Sequence, residues 1–135
     1  MKIIFLGLGC VSLVLGLAVA VAQNNLKVDK LDPLKATQMW GKSEFTVEKF
    51  RSANVEQRAA MAAEIVSQKK FVGSTVKDVI SALGPHDAYF RNDFVPAYAL
   101  TEGWKSGGDT WQLVFLPNAD MKIVDVFINK NCCSK

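Results

Sequence analysis

Hydrophobic positions recur along this chain with two different periods, and the change from one to the other falls near Asp87. Before it the period is helical. Asn54 to Lys70 carries Met61, Ala62, Ile65 and Val66 on one stripe, with Glu56, Arg58, Glu64, Lys69 and Lys70 on the wet side. Asn54 is a good N-cap, Gln57 three residues on completes a capping box, and the alanines are strong helix formers. Phe71 and Val72 follow as a buried connector, and Gly73 gives room to turn. Thr75 and Asp78 then form a second capping box, and Val76, Val79, Ile80 and Leu83 make one apolar stripe at helical spacing. Gly84 and Pro85 stop that helix. Two turns of helix have little stability alone, so this one must be held by packing.

After Asp87 the period becomes two. Ala88 to Arg91 is a short candidate strand, Asn92-Asp93 a turn, and Pro96 to Thr101 a strand that its proline keeps at an edge. Ser106-Gly107-Gly108-Asp109 reads as a hairpin turn. Thr110 to Leu116 alternates Trp111, Leu113 and Phe115 against Gln112, Val114 and Leu116. Pro117 to Asp120 turns the chain, and Lys122 to Asn129 alternates Ile123, Asp125 and Phe127 against Val124, Val126 and Ile128. The expected fold is α+β: two N-terminal helices on one face of an antiparallel meander of about three to four strands. The last two strands are apolar on both faces, while two helices cover only one. The other face is left for the N-terminal arm, a second copy or a partner, and coverage by the arm is the expectation.

The N-terminus changes the picture. Residues 1–22 carry one charge, Lys2, then an apolar run from Ile3 to Val21 and a small-x-small site at Ala20-Val21-Ala22. That is a secretory leader cut before Gln23, or an uncleaved anchor over residues 3–22, since about 20 apolar residues span a bilayer. Lipidation at Cys10 is a third reading, although Gly7-Leu8-Gly9 lacks the leucine expected three residues before the cysteine. On each reading the remainder is exported, periplasmic or secreted unless membrane-anchored, and any membrane contact is through that segment alone. Residues 23–53 are expected as an extended, charged arm with a turn at Asp32-Pro33, anchored through residues such as Trp40 and Phe50. Residues 54–135 form the two-layer domain, with length for one modest core.

The full chain has 135 residues and a net charge of +3, with charges interspersed. No basic stripe points to nucleic acid. With one histidine, a His-ligand metal site is excluded, and no pattern calls for a cofactor. His86-Asp87 is the one His–carboxylate pair, and a hydrolase built on it is a remote alternative, because no Gly-x-Ser-x-Gly elbow exists. Glu44, Glu48, Glu102, Asp109 and Asp125 are scattered, without a pairing that sequence brings together. Cys132 and Cys133 are adjacent, too close for an ordinary mutual disulfide. They are the candidate thiols, and a thiol- or redox-linked exported protein working through them is the rival reading. Aromatics crowd the meander. Most belong in a core, but any of Tyr98, Trp104, Trp111 and Phe115 projecting from an uncovered sheet face would make a protein-binding patch.

The string Arg58-x-x-Met61, Phe71-Val72-Gly73-x-Thr75-x-x-Asp78-Val79, Leu83-Gly84-Pro85-x-Asp87 resembles the SmpA/OmlA outer-membrane lipoprotein family and its relatives of β-lactamase-inhibitor-protein-like fold. The resemblance spans residues 54–128, and its matching positions are mostly those that caps and turns require. It implies a periplasm-facing scaffold, in one branch an accessory of outer-membrane β-barrel assembly. This chain departs in its lack of a lipobox and in His86, where many relatives have a proline or a small residue. The expectation is a non-enzymatic binding or scaffold module of the cell envelope with a protein partner, a homodimer being open.

Overall fold

The computed structural model describes residues 28–102 and 109–132. The expected leader over residues 1–22, Trp104, the expected turn at 106–108 and Cys133 lie outside the described residues. Eight elements follow one another: β1 (Lys30–Leu31), α1 (Pro33–Trp40), α2 (Val47–Ser52), α3 (Val55–Ser67), α4 (Val76–Leu83), β2 (Ala97–Ala99), β3 (Thr110–Pro117) and β4 (Ile123–Cys132). The strands form one antiparallel sheet in the order β1-β4-β3-β2. The fold is α+β, with the helices ahead of the β2–β4 meander.

Both expected capping boxes are formed. Asn54 and Gln57 exchange hydrogen bonds at 2.9 and 3.0 Å, and Thr75 and Asp78 do so at 3.1 and 3.0 Å. Accepting the Thr75 N–H holds the Asp78 carboxyl below its ordinary range. Gly84 ends α4 at φ 89°, a value costly for any side chain.

The described part of the stretch expected as an extended arm, residues 28–53, instead carries a two-residue strand and two short helices. Asp32-Pro33 is the start of α1 rather than a free turn. The Asp32 carboxylate accepts the Leu34 N–H at 2.9 Å, and Pro33 sits where a helix needs no N–H. Thr46 caps α2 through the Lys49 N–H at 3.1 Å. Each helix is fastened by one fully buried residue, Ala36 and Phe50 respectively. The alanine face of α3 lets the preceding chain come close, and the Ser43 N–H donates to the Ala60 carbonyl at 2.8 Å.

The main core lies between the helices and one sheet face. It joins Ala36, Phe50, Met61, Ala62, Ile65, Val79 and Leu83 to Tyr98, Leu100, Leu113, Phe115, Ile123, Val126 and Ile128. Within it five rings close a cycle of edge-to-face contacts: Phe45–Phe50, Phe50–Tyr98, Tyr98–Phe115, Phe115–Phe71 and Phe71–Phe45, with centroids 5.4–6.3 Å apart. Such contacts contribute about 0.5–1.5 kcal/mol each beyond burial. Phe71 reaches the cycle from a left-handed backbone (φ 66°), which costs about 1–2 kcal/mol in an L-residue.

Two strand expectations are corrected. Ala88 to Arg91 is no strand: Phe90 makes an isolated bridge to Asn92 across Arg91 at φ 64°. Its apolar residues instead cover the second sheet face, where Phe90 and Val95 pack on Ala97, Val114 and Phe127, flanked by Val28, Ala88 and Leu116. Among the described residues that face is covered mainly by the loop before β2, with Val28 of the arm at its margin, while the rest of the described arm supplies β1 and joins the helical layer. The simple alternation in β4 also fails at its start. Leu116 lies opposite Asp125 but Pro117 opposite Ile123, so Val124 is an extra residue. This bulge turns Ile123 into the core with Val126 and Ile128, and leaves Val124 52 % exposed.

Candidate functional site

Two polar constellations stand out among the described residues, one structural and one open to solvent. The first ties α3 to the turn after α4 and to β2. Arg58 Nη1 donates to Asp87 Oδ2 at 2.6 Å, and its guanidinium lies over the rings of Phe50 and Tyr98 at 5.3 and 5.9 Å. Asp87 Oδ1 accepts the Ala99 N–H at 2.9 Å. The Tyr98 hydroxyl donates to the Gly84 carbonyl at 2.7 Å, and burial pushes that hydroxyl well above its ordinary range. Arg58 is only 15 % exposed, not the wet residue that helical periodicity predicts. Its stem covers apolar rings while the guanidinium finds a carboxylate 29 positions away.

This arrangement engages the carboxylate of the His86-Asp87 pair. Both oxygens of Asp87 are engaged in holding the fold, and His86 sits half-buried beside them in the turn. A histidine acting as a base needs a group to orient it, and Asp87 is committed elsewhere.

The second constellation is a cleft of about 470 Å³ where the end of α1, the start of α3 and the ends of β2 and β3 meet. Its lining among the described residues is Trp40, Glu56, Ala59, Leu100, Thr101, Glu102 and Asp109. Trp40 stands edge-on to Trp111 at 6.0 Å, which fixes the indole as a wall. Asp109 Oδ2 lies 3.1 Å from Lys130 Nζ, while Oδ1 is closed to solvent and takes no hydrogen bond among the described residues. The Thr101 hydroxyl accepts the Trp111 N–H. Three carboxylates and an indole thus share one concavity on a chain whose net charge is +3. The carboxylates are spread around it: among the described residues no three of His, Cys, Asp and Glu converge as metal ligands do.

The candidate protein-binding aromatics separate. Tyr98 and Phe115 are 0 % exposed and face the helices, so they are core and not a docking patch. The alternation of β3 put Phe115 on one face correctly, but that face is the one the helices cover. Trp111 is half-buried behind Trp40, and Trp104 lies outside the described residues. Cys132 is the last residue of β4, and Cys133 lies outside the described residues. Trp40 and Glu56 were missed as a site because each reads as part of a helix or arm. Glu102 and Asp109 were seen only as scattered charges.

No family model, no curated protein and no solved structure matches this chain. Among the described residues no helix is long and apolar enough to cross a membrane.

Proposed function

We propose that this chain is a non-catalytic binding module of the cell envelope, and that its cleft receives a basic segment of a protein partner. The observation that carries this reading is the cleft itself, with an indole wall and the separated carboxylates of Glu56 and Glu102, beside Asp109, which is paired with Lys130. Lysine and arginine heads are attracted both to carboxylates and to aromatic faces, each aromatic contact contributing about 0.5–2 kcal/mol. Separated carboxylates suit successive basic side chains better than a point cation. The leader-like residues 1–22 support export, and the commitment of Asp87 to Arg58 and Ala99 supports a role without His86 as a base.

The test is a nuclear magnetic resonance titration of the isotope-labelled protein with acetyl-Lys-Arg-Lys-amide, and with acetyl-Glu-Glu-Glu-amide as control. The basic peptide is expected to shift the Trp40 indole and the Thr101 and Asp109 amides saturably. The shifts should weaken as salt rises from about 0.05 to 0.5 M, because screening shortens the reach of the carboxylates. Glu56→Gln with Glu102→Gln should reduce the affinity at least tenfold. An equal response to the acidic peptide, or none to either, would overturn the proposal.

A further inference from the structure

Strand β2 is the last strand of the sheet, and the way its outer edge is closed carries an inference separate from the cleft. β2 pairs with β3 through alternate residues. The Phe115 N–H donates to the Pro96 carbonyl and the Leu100 N–H to the Trp111 carbonyl, both at 3.0 Å, with Tyr98 opposite Leu113. The backbone groups of Ala97 and Ala99 therefore point away from the sheet. An edge of this kind is a template for another strand unless something blocks it. Ala97-Tyr98-Ala99 has no charged residue, bulge or outward proline to do so.

The block is provided by two residues that are not a strand. The Ala88 N–H donates to the Ala97 carbonyl at 3.0 Å, and the Asp87 carboxylate accepts the Ala99 N–H at 2.9 Å. A side chain thus stands where a neighbouring strand would place a carbonyl. It is held there from behind by Arg58 at 2.6 Å, while the Tyr98 hydroxyl anchors the start of the same turn at Gly84. The edge beneath is self-complementary. Ala97 and Ala99 flank Tyr98 symmetrically, so an antiparallel copy centred on Tyr98 places Ala97 of each chain against Ala99 of the other. Both N–H and both carbonyl groups of each pair then find partners, in a contact closed by a two-fold axis.

We propose that Asp87 is a latch on a strand-addition edge: while Arg58 holds it, Asp87 and Ala88 together close β2, and once it is released the Asp87-Ala88 segment lifts from the edge and β2 pairs with β2 of a second copy of this chain. The occupant is a copy because the outward pattern of donors and acceptors that Asp87 and Ala88 cover matches itself about Tyr98.

The experiment expresses the full 135-residue sequence, purifies the protein as the cell processes it, and measures its mass by light scattering over a hundredfold concentration range. The parent protein is expected to be a monomer. Asp87→Ala should double in mass with rising concentration while keeping its far-ultraviolet circular dichroism. Adding Ala99→Pro, which deletes the outward N–H at an edge position where proline is tolerated, should return it to a monomer. Arg58→Gln leaves the carboxylate in place but unheld, and is expected to dimerise more weakly than Asp87→Ala. A folded Asp87→Ala that stays monomeric throughout would overturn the proposal. So would a dimer that Ala99→Pro does not dissolve, a parent protein already paired through β2, or unfolding of both Asp87→Ala and Arg58→Gln, which would make the pair a core strut.

Discussion

The two faces of the sheet are built on different principles. The helix-side face is closed by elements with caps of their own, and five of its aromatic residues form a cycle in which each ring has two ring neighbours. The opposite face is closed largely by a loop, with one aromatic pair, Phe90–Phe127 at 5.5 Å, and Lys30 over Phe127 at 4.4 Å. Beside that pair the face turns polar. Gln112 lies opposite Asn129, is 1 % exposed, and neither its amide nitrogen nor its amide oxygen has a hydrogen-bond partner among the described residues. A redundant apolar core and a half-satisfied polar one thus share the same two strands. Stability is expected to reside on the first, and the second to be the place where sequence can be improved.

The sharpest way to break this contrast is a matched truncation on each face. Phe115→Ala opens a cavity inside the ring cycle and should cost about 3–5 kcal/mol in urea unfolding. Phe90→Ala removes a ring mounted on a loop that can settle inward, and should cost less than half as much. Equal losses would mean that the loop-covered face is as rigid as the helix-covered one. Gln112→Met keeps length and volume while deleting two unpartnered polar groups, and should raise stability by about 1 kcal/mol. A loss of that size would show that the amide has partners in solution.

The smallest of these effects is also read through pH. Tyr98→Phe removes the bond to the Gly84 carbonyl and should cost about 1 kcal/mol at neutral pH. The folded chain keeps Tyr98 protonated beyond its ordinary value of 10.0, because burial disfavours the phenolate. Its contribution is therefore fully present below pH 10 and declines as pH rises above 10, where the unfolded chain releases the proton first. Thermal unfolding between pH 9 and 11 should fall more steeply for the parent protein than for Tyr98→Phe, and parallel curves would count against a buried hydroxyl.

What was legible in advance follows from locality. The α3 and α4 helices announce themselves because their capping boxes are three-residue patterns, and β3 because its alternation is unbroken. Helices α1 and α2 escaped because each is short and is held by a single buried residue, too few for a period to show. The start of β4 was misassigned because one extra residue, Val124, reverses the faces before it, and nothing in Lys122-Ile123-Val124-Asp125 marks the bulge. The loop over the second face read as a strand because Phe90 is apolar for the same reason a strand residue would be: it is buried.

The sequence by itself determined the class of fold, the helix caps, the stop at Gly84-Pro85 and the strands of the meander, since each depends on residues within one turn or one pleat of each other. Only the tertiary structure decided that Tyr98 and Phe115 face inward, that Arg58 reaches Asp87, and that Trp40, Glu56, Glu102 and Asp109 share a cleft. Those outcomes depend on which face the helices cover and on where distant segments meet. Both are settled by burying the largest continuous apolar surface, a property of the whole packed chain and of no window along it.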